Sequence, residues 1–305
     1  MINLWHINKF LVIIIFSLLL SSQSFADKKF EKDLKKISID NGFIDNFGNV
    51  YSDDKITDKS KTILIIYTHG GMGDQTLDKC LKKWNLVPPV IRNLHDEKIN
   101  DYQVKIYRLC TGVRGWSKTE QDKMWKSTSK KRLTLKNSKG ELLFHKNKDF
   151  YRTKIIKEKI DQFKSGGFEN IVLAGHSMGG WASLKFQTIH PNLIGGSIGL
   201  HPGSGGTKRN RRDWPWWEEA RNYGFGDLSN LNAFIITHDK DSFNSPNDYS
   251  MFKNLTKVKF VNITSSKCKK KATLGGYHGL ALTECYFNQE AQNKDIITYL
   301  EKLYK

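Results

Sequence analysis

Apolar residues in this chain fall into short, nearly unbroken runs separated by longer polar stretches. Thr62–Thr68 (TILIIYT) is almost wholly apolar, as a strand buried on both faces of a parallel sheet must be. Tyr102–Leu109, Asn170–Ala174, Leu193–Leu200, Ala233–Thr237 and Val258–Ile263 read the same way. Between the runs, helical patterns predict helices over about 75–83, 149–165, 178–190, 245–254 and 288–304. Residues 27–60 are polar, and Asn41-Gly42 with Asn46-Phe47-Gly48-Asn49 suits an edge hairpin. Strand–helix alternation of this kind predicts an α/β architecture, a mostly parallel sheet flanked by helices. There is no internal repeat.

The first residues carry a different signal. Lys9 precedes an apolar run from Phe10 to Leu20 broken only by Ser17, followed by Ser21-Ser22-Gln23-Ser24-Phe25-Ala26. A basic region, an apolar core and a small-x-Ala end make residues 1–26 a secretory signal peptide, cut after Ala26. Eleven residues of helix reach only about 16 Å, short of the ~30 Å hydrocarbon core. An uncleaved anchor is the alternative. The expected mature chain is a single domain, 27–305, secreted or periplasmic, with no later stretch apolar enough to span a membrane. Export makes Cys80, Cys110, Cys268 and Cys285 candidates for two disulfides. Three pairings are open. Proximity favours Cys80 with Cys110 and Cys268 with Cys285.

Two connections exceed ordinary loop length, and such loops in compact domains are usually functional or disordered. The basic insertion at about 111–148 holds ten Lys or Arg against three Asp or Glu between Lys118 and Lys148. The insertion at about 201–230 carries Arg209, Arg211 and Arg212, then Trp214, Trp216 and Trp217. Net charge is +18, from 49 basic and 31 acidic residues, which points toward an anionic surface such as an envelope polymer or lipid headgroups. Scattered lysines also simply solubilise a surface. Nucleic acid, suggested only by Arg beside Trp, is the weaker partner.

The strongest chemical signal is Gly175-His176-Ser177-Met178-Gly179-Gly180, set between an apolar strand and a helical pattern. A sharp strand-to-helix turn leaves no room for bulk two residues before and after the nucleophile, and Gly175 and Gly179 meet that need. Ser177 then stands exposed at a helix N-terminus, where negative charge is favoured. Upstream, Thr62–Thr68 runs into His69-Gly70-Gly71-Met72-Gly73. Acyl transfer needs two N–H donors for the developing oxyanion. Met178 is the first candidate and Gly71 the second, with Met72 next. A phosphate-cradling loop is the rival reading, but the lysine of a Walker motif and G-x-G-x-x-G spacing are both missing.

A serine nucleophile needs a base and an oriented acid. His278 is the one histidine beyond the last predicted strand. Asp239 and Asp241 both follow the strand ending at Thr237, and either can supply the carboxylate. His69 and His176 belong to the two glycine motifs and read as structural. His201 is close enough in the chain to touch the site.

Gly-His-Ser-Met-Gly-Gly, the upstream His-Gly-Gly, the late acid and the late histidine together resemble the α/β-hydrolase superfamily, from about residue 61 onward. The resemblance implies an eight-stranded, mostly parallel sheet and a lid-like insertion at 201–230. It also implies no metal or organic cofactor, and hydrolysis through an acyl-enzyme. Members commonly carry His-Gly-x-x-Asp at the acid loop. Thr237-His238-Asp239-Lys240-Asp241 stands there, which carries the acid role to Asp241. The expected activity is cleavage of a carboxylic ester, thioester or lipid ester by Ser177, His278 and Asp241. An acyltransferase or peptidase on the same residues, or a non-catalytic binder of anionic envelope polymers, is the alternative.

Overall fold

The computed structural model describes residues 42–45, 49–52, 55–71, 80, 86–111, 118–127, 129–132, 134–140, 142–143, 148–213, 216–264, 276–283 and 290–305. Residues 1–26, expected to be a signal peptide, and Met72, Trp214, Cys268 and Cys285 lie outside these residues, as does nearly all of the helix expected over 75–83.

The described strands form one sheet. An antiparallel hairpin, β1 (Gly42–Ile44) and β2 (Val50–Tyr51), pairs Phe43 with Tyr51 and Ile44 with Val50. The remaining strands are β3 (Thr62–Thr68), β4 (Lys98–Ile99), β5 (Tyr102–Leu109), β6 (Asn170–His176), β7 (Gly196–Leu200), β8 (Ala233–His238) and β9 (Val258–Ile263). Their order across the sheet is β2-β1-β5-β3-β6-β7-β8-β9, with the two-residue β4 paired to β5 off this path. From β5 to β9 every neighbouring pair is parallel, while β1 runs antiparallel to β5.

Alternation along the buried strands feeds three apolar clusters, one of them formed by Ala233 and Ile235 of β8 with Trp181, Tyr249 and Phe252. Ile63, Ile65 and Tyr67 of β3 join Val104, Val172 and Phe234 on one face, where helices α1 (Pro89–Arg92) and α8 (Glu290–Leu303) supply Val90, Ile91, Ile296 and Leu300. Leu64 and Ile66 face the other way, against α4 (Lys148–Ser165) and α5 (Met178–Ile189) through Ile156, Ile160, Ala182 and Phe186. Burial on both faces is why β3 and β6 read as apolar runs rather than as alternating ones.

Three expectations need adjusting. The strand expected from Leu193 begins only at Gly196. Leu193 N–H closes a turn on His190 O at 3.1 Å, and the Tyr299 and Tyr304 hydroxyls crowd Gly195 and Gly196 so closely that a Cβ there would lie 2.6 Å or less from them. The helix expected over 245–254 is a tighter 3₁₀ turn, Pro246–Phe252, started by a capping box between Ser245 and Asp248 and kinked at Tyr249. The long connections also hold local structure: α2 (Lys118–Trp125) and α3 (Ser129–Arg132) in the basic insertion, α6 (Lys208–Asp213) and α7 (Trp216–Asn222) in the later one.

Among the described residues a disulfide joins Cys80 to Cys110, with Cα atoms 5.8 Å apart. No helix of the described residues is long and apolar enough to cross a membrane.

Candidate active site

Everything in the site hangs on the C-terminal ends of adjacent parallel strands. β6 ends at His176, and Ser177 turns the chain into α5 with φ 53° and ψ −122°. Positive φ is uncommon for a residue with a Cβ and costs on the order of 1–3 kcal/mol, so surrounding contacts must hold it. Those contacts are visible. Ser177 N–H donates to Leu200 O at 3.0 Å, while Ser177 O accepts Trp181 N–H and Gly203 N–H, each at 2.9 Å. The glycines are required sterically. A Cβ on Gly175 would meet the Gly179 carbonyl carbon at 2.4 Å, and one on Gly179 would meet Thr68 O at 2.3 Å.

The same turn leaves the N–H groups of Met178, Gly179 and Gly180 without acceptors inside the helix, because Trp181 is the first residue able to bond back to Ser177. Gly70 sits beside the serine: a Cβ built on it would lie 3.4 Å from Ser177 Cβ and 3.1 Å from His176 Nδ1. Gly71 follows directly. The loop that carries them is braced from behind, since the His69 ring bonds Gly70 O at 2.6 Å and accepts Thr111 N–H at 3.4 Å. The fully buried Arg152 donates to His69 O. Sequence reasoning misses Arg152, because nothing in the pattern separates it from the other basic residues of α4.

His278 lies in a 3₁₀ turn, Tyr277–Leu282, entered through Gly276 at φ 58°. His176 clamps this turn to the elbow: its Nε2–H donates to His278 O at 3.0 Å, and the two rings lie 4.9 Å apart. Phe243 covers the His278 ring from another side at 4.3 Å. Sequence reasoning misses Phe243 too, for aromatic residues in a loop carry no periodic signal.

Asp241 follows β8 and is buried. His278 Nδ1–H donates to Asp241 Oδ2 at 2.8 Å, and Phe243 N–H to Asp241 Oδ1 at 2.7 Å. Asp239 is elsewhere, 2.9 Å from His238 with its side chain 39% exposed, so the structure brings Asp241 and not Asp239 to His278. His201, also buried, places Nδ1 3.4 Å from the same Asp241 Oδ2. Burial opposes charge on Asp241, but hydrogen bonding from His201 and His278 outweighs it and holds the carboxyl well below the usual carboxylate range. Burial pushes the His176 ring well below the usual histidine value and the nearby His278 adds to this, so His176 stays neutral. The remaining nitrogen, His278 Nε2, is buried without a hydrogen-bond partner among the described residues.

Donor atoms of His201, Asp241 and His278 all fall within 4.8 Å of one another, which is close enough to consider a metal. The 2.8 Å separation of His278 Nδ1 from Asp241 Oδ2 is that of a hydrogen bond, and an ion would have to take that same oxygen. The arrangement is a relay of proton donors onto one carboxylate. It orients the His278 imidazole on a turn clamped to the elbow that carries Ser177, next to N–H groups with no acceptor inside their own helix.

The insertion at 201–230 is bound down next to this site. Arg211, 6% exposed, donates to Phe243 O at 2.6 Å and Asp248 Oδ1 at 3.1 Å, and pairs with Glu218 at 2.9 Å. Arg221 lies 4.3 Å over the Trp181 ring and donates to Asp248 O at 2.8 Å. Trp217 packs its ring against Gly206.

No protein-family model and no curated protein matches this chain. Among solved structures, Est1E from Butyrivibrio proteoclasticus matches at 15% identity over 79% of this chain and 89% of its own, with a TM-score of 0.45. A monoglyceride lipase from Saccharomyces cerevisiae matches at 13% identity over 82% and 89%, TM-score 0.43. An S-formylglutathione hydrolase from Agrobacterium tumefaciens matches at 11% identity over 78% and 85%, TM-score 0.42. Strand order and the strained turn at Ser177, not these distant likenesses, define the fold.

Proposed function

We propose that this chain, which has the α/β-hydrolase fold, is an exported serine hydrolase that cleaves a carboxylic ester through an acyl-enzyme on Ser177. The observation that carries this reading is the 2.8 Å hydrogen bond from His278 Nδ1–H to the buried Asp241, on a turn clamped to the strained elbow of Ser177. With Nδ1 protonated, Nε2 holds the lone pair that takes the hydroxyl proton as Ser177 Oγ attacks the carbonyl carbon. The tetrahedral oxyanion is held by the Met178 and Gly71 N–H groups. His278 passes the proton to the leaving alkoxide, and water repeats the sequence to release the acid. Asp241 keeps the productive tautomer and stabilises the transient imidazolium.

Around this centre, residues 201–230 act as a lid-like wall on the acyl site. The lysines of 118–148 draw the enzyme to an anionic surface. Residues 1–26 direct export, consistent with a buried disulfide between Cys80 and Cys110. The test is covalent labelling of the mature protein with a fluorophosphonate, followed by turnover of p-nitrophenyl esters of graded chain length. Ser177→Ala should lose both labelling and turnover, the latter by on the order of 10⁶. Wild-type rates in that variant would remove the serine from the mechanism.

A further inference from the structure

Among the described residues four non-glycine positions have positive φ: Asp96, Asn100, Ser177 and His201. Two of them meet in the site. His201, at φ 44°, is fully buried, and its backbone is gripped on both sides of the sheet end: His201 N–H donates to Ile236 O at 2.8 Å, and Leu200 just before it and Gly203 two residues after it bond the elbow at Ser177. A strained, buried, polar residue needs a reason in what its side chain does. Its Nδ1 lies 3.4 Å from Asp241 Oδ2, the oxygen that His278 uses.

We infer that His201 is a positioning residue for the ester hydrolysis proposed above, a second imidazole that holds Asp241 in line for His278. Two donors bind the carboxylate, Phe243 N–H on Oδ1 and His278 Nδ1–H on Oδ2, and His201 Nδ1 stands 3.4 Å from Oδ2, a long contact short of a full hydrogen bond. A small rotation of the buried imidazole completes that third bond and limits the swing of the carboxylate about its Cβ–Cγ bond. Charged and titratable groups packed around the cluster are His176 from the end of β6, His238 from the end of β8 with its partner Asp239, Tyr277 stacked on His238, and Lys240 over Tyr277. Burial keeps both His176 and His201 below the usual histidine range, the second against the pull of Asp241. His201 therefore acts as a neutral N–H donor.

This inference rests on the esterase reading, and its test separates the two. His201→Leu deletes the donor at similar bulk, while His201→Asn keeps an N–H near the Nδ1 position on a residue that tolerates positive φ. The leucine variant should lose about tenfold in kcat with KM within about twofold. The asparagine variant should recover most of the lost rate. Should the leucine variant not fold, His201→Ala makes the same deletion with less bulk. In a Ser177→Ala background, the low-field Nδ1–H proton resonance of His278 should shift with His201→Leu and stay near its place with His201→Asn. That signal requires no turnover, so it reports on His201 even if the ester chemistry fails. Equal rates and resonances in the leucine and asparagine variants would overturn the assignment.

Discussion

Replacing Asp241 with Asn alters charge and proton inventory at one atom while leaving shape nearly untouched. The amide oxygen can still accept Phe243 N–H, which lies 2.7 Å from Oδ1 in the wild type. The amide nitrogen then occupies the place of Oδ2, facing His278 Nδ1 at 2.8 Å and His201 Nδ1 at 3.4 Å. Two N–H donors cannot face each other at that distance, so the His278 ring moves its proton to Nε2. Nε2 becomes a donor and can no longer act as the base proposed for Ser177. The corresponding change in a serine protease triad lowers kcat about 10⁴-fold, equivalent to about 5.5 kcal/mol of transition-state stabilisation. A loss of that order is expected here. Stability at neutral pH should fall as well, because the amide cannot replace the ionised carboxylate that the two imidazoles favour. Asp239→Asn should cost less than about threefold, since that side chain is 39% exposed and meets His238 instead. Burst and steady-state hydrolysis of p-nitrophenyl butyrate, with a thermal melt on each variant, measure all of this. If the Asp241→Asn protein retained rates within tenfold of wild type, or the ranking reversed with both proteins folded, the assigned acid would be wrong.

Other expectations follow from the same geometry. Gly179→Ala should destabilise by about 1–3 kcal/mol or more and depress activity, because its Cβ would press on Thr68 O at 2.3 Å and His69 O at 2.5 Å, both backbone; an unchanged melt and rate would contradict the close approach. Stability should fall as pH drops from 7 toward 5. Burial lowers the proton affinity of His176 and His201 in the folded chain, whereas the unfolded chain takes up protons near pH 6.5, so each contributes a slope of at most about 1.4 kcal/mol per pH unit. Asp241 adds a further term at lower pH: its depressed folded value contributes stability that is fully present above about pH 4 and disappears only on further acidification. Denaturant melts across this range that showed no decline would refute neutral burial of the two rings. The Cys80→Ala/Cys110→Ala double variant should lose about 3–4 kcal/mol, since the bond closes a loop with a sequence separation of 30. Equal denaturant midpoints with and without the cysteines would exclude that bond from the folded protein.

Much of the architecture was legible because burial on both faces writes itself into composition. β3 and β6 must be apolar throughout, and α4, α5 and α8 fall within a few residues of their expected places. The elbow was legible for a local reason too: in this strained turn a Cβ at either glycine would lie only 2.3–2.7 Å from backbone atoms, so Gly175 and Gly179 announce Ser177. Where the chain stops being local, the sequence stops deciding. Leu193 is as apolar as its neighbours, but Gly195 and Gly196 are crowded by Tyr304 and Tyr299, from the far C-terminal end of the chain, and that crowding sets where β7 begins. Asp239 and Asp241 are both acids just past a strand, and only the placement of the 276–282 turn puts one against His278 and the other against His238. His201, Arg152 and Phe243 gain their meaning in the same way. Each depends on a partner brought near by strand order, and strand order is a property of the whole sheet that no single segment encodes.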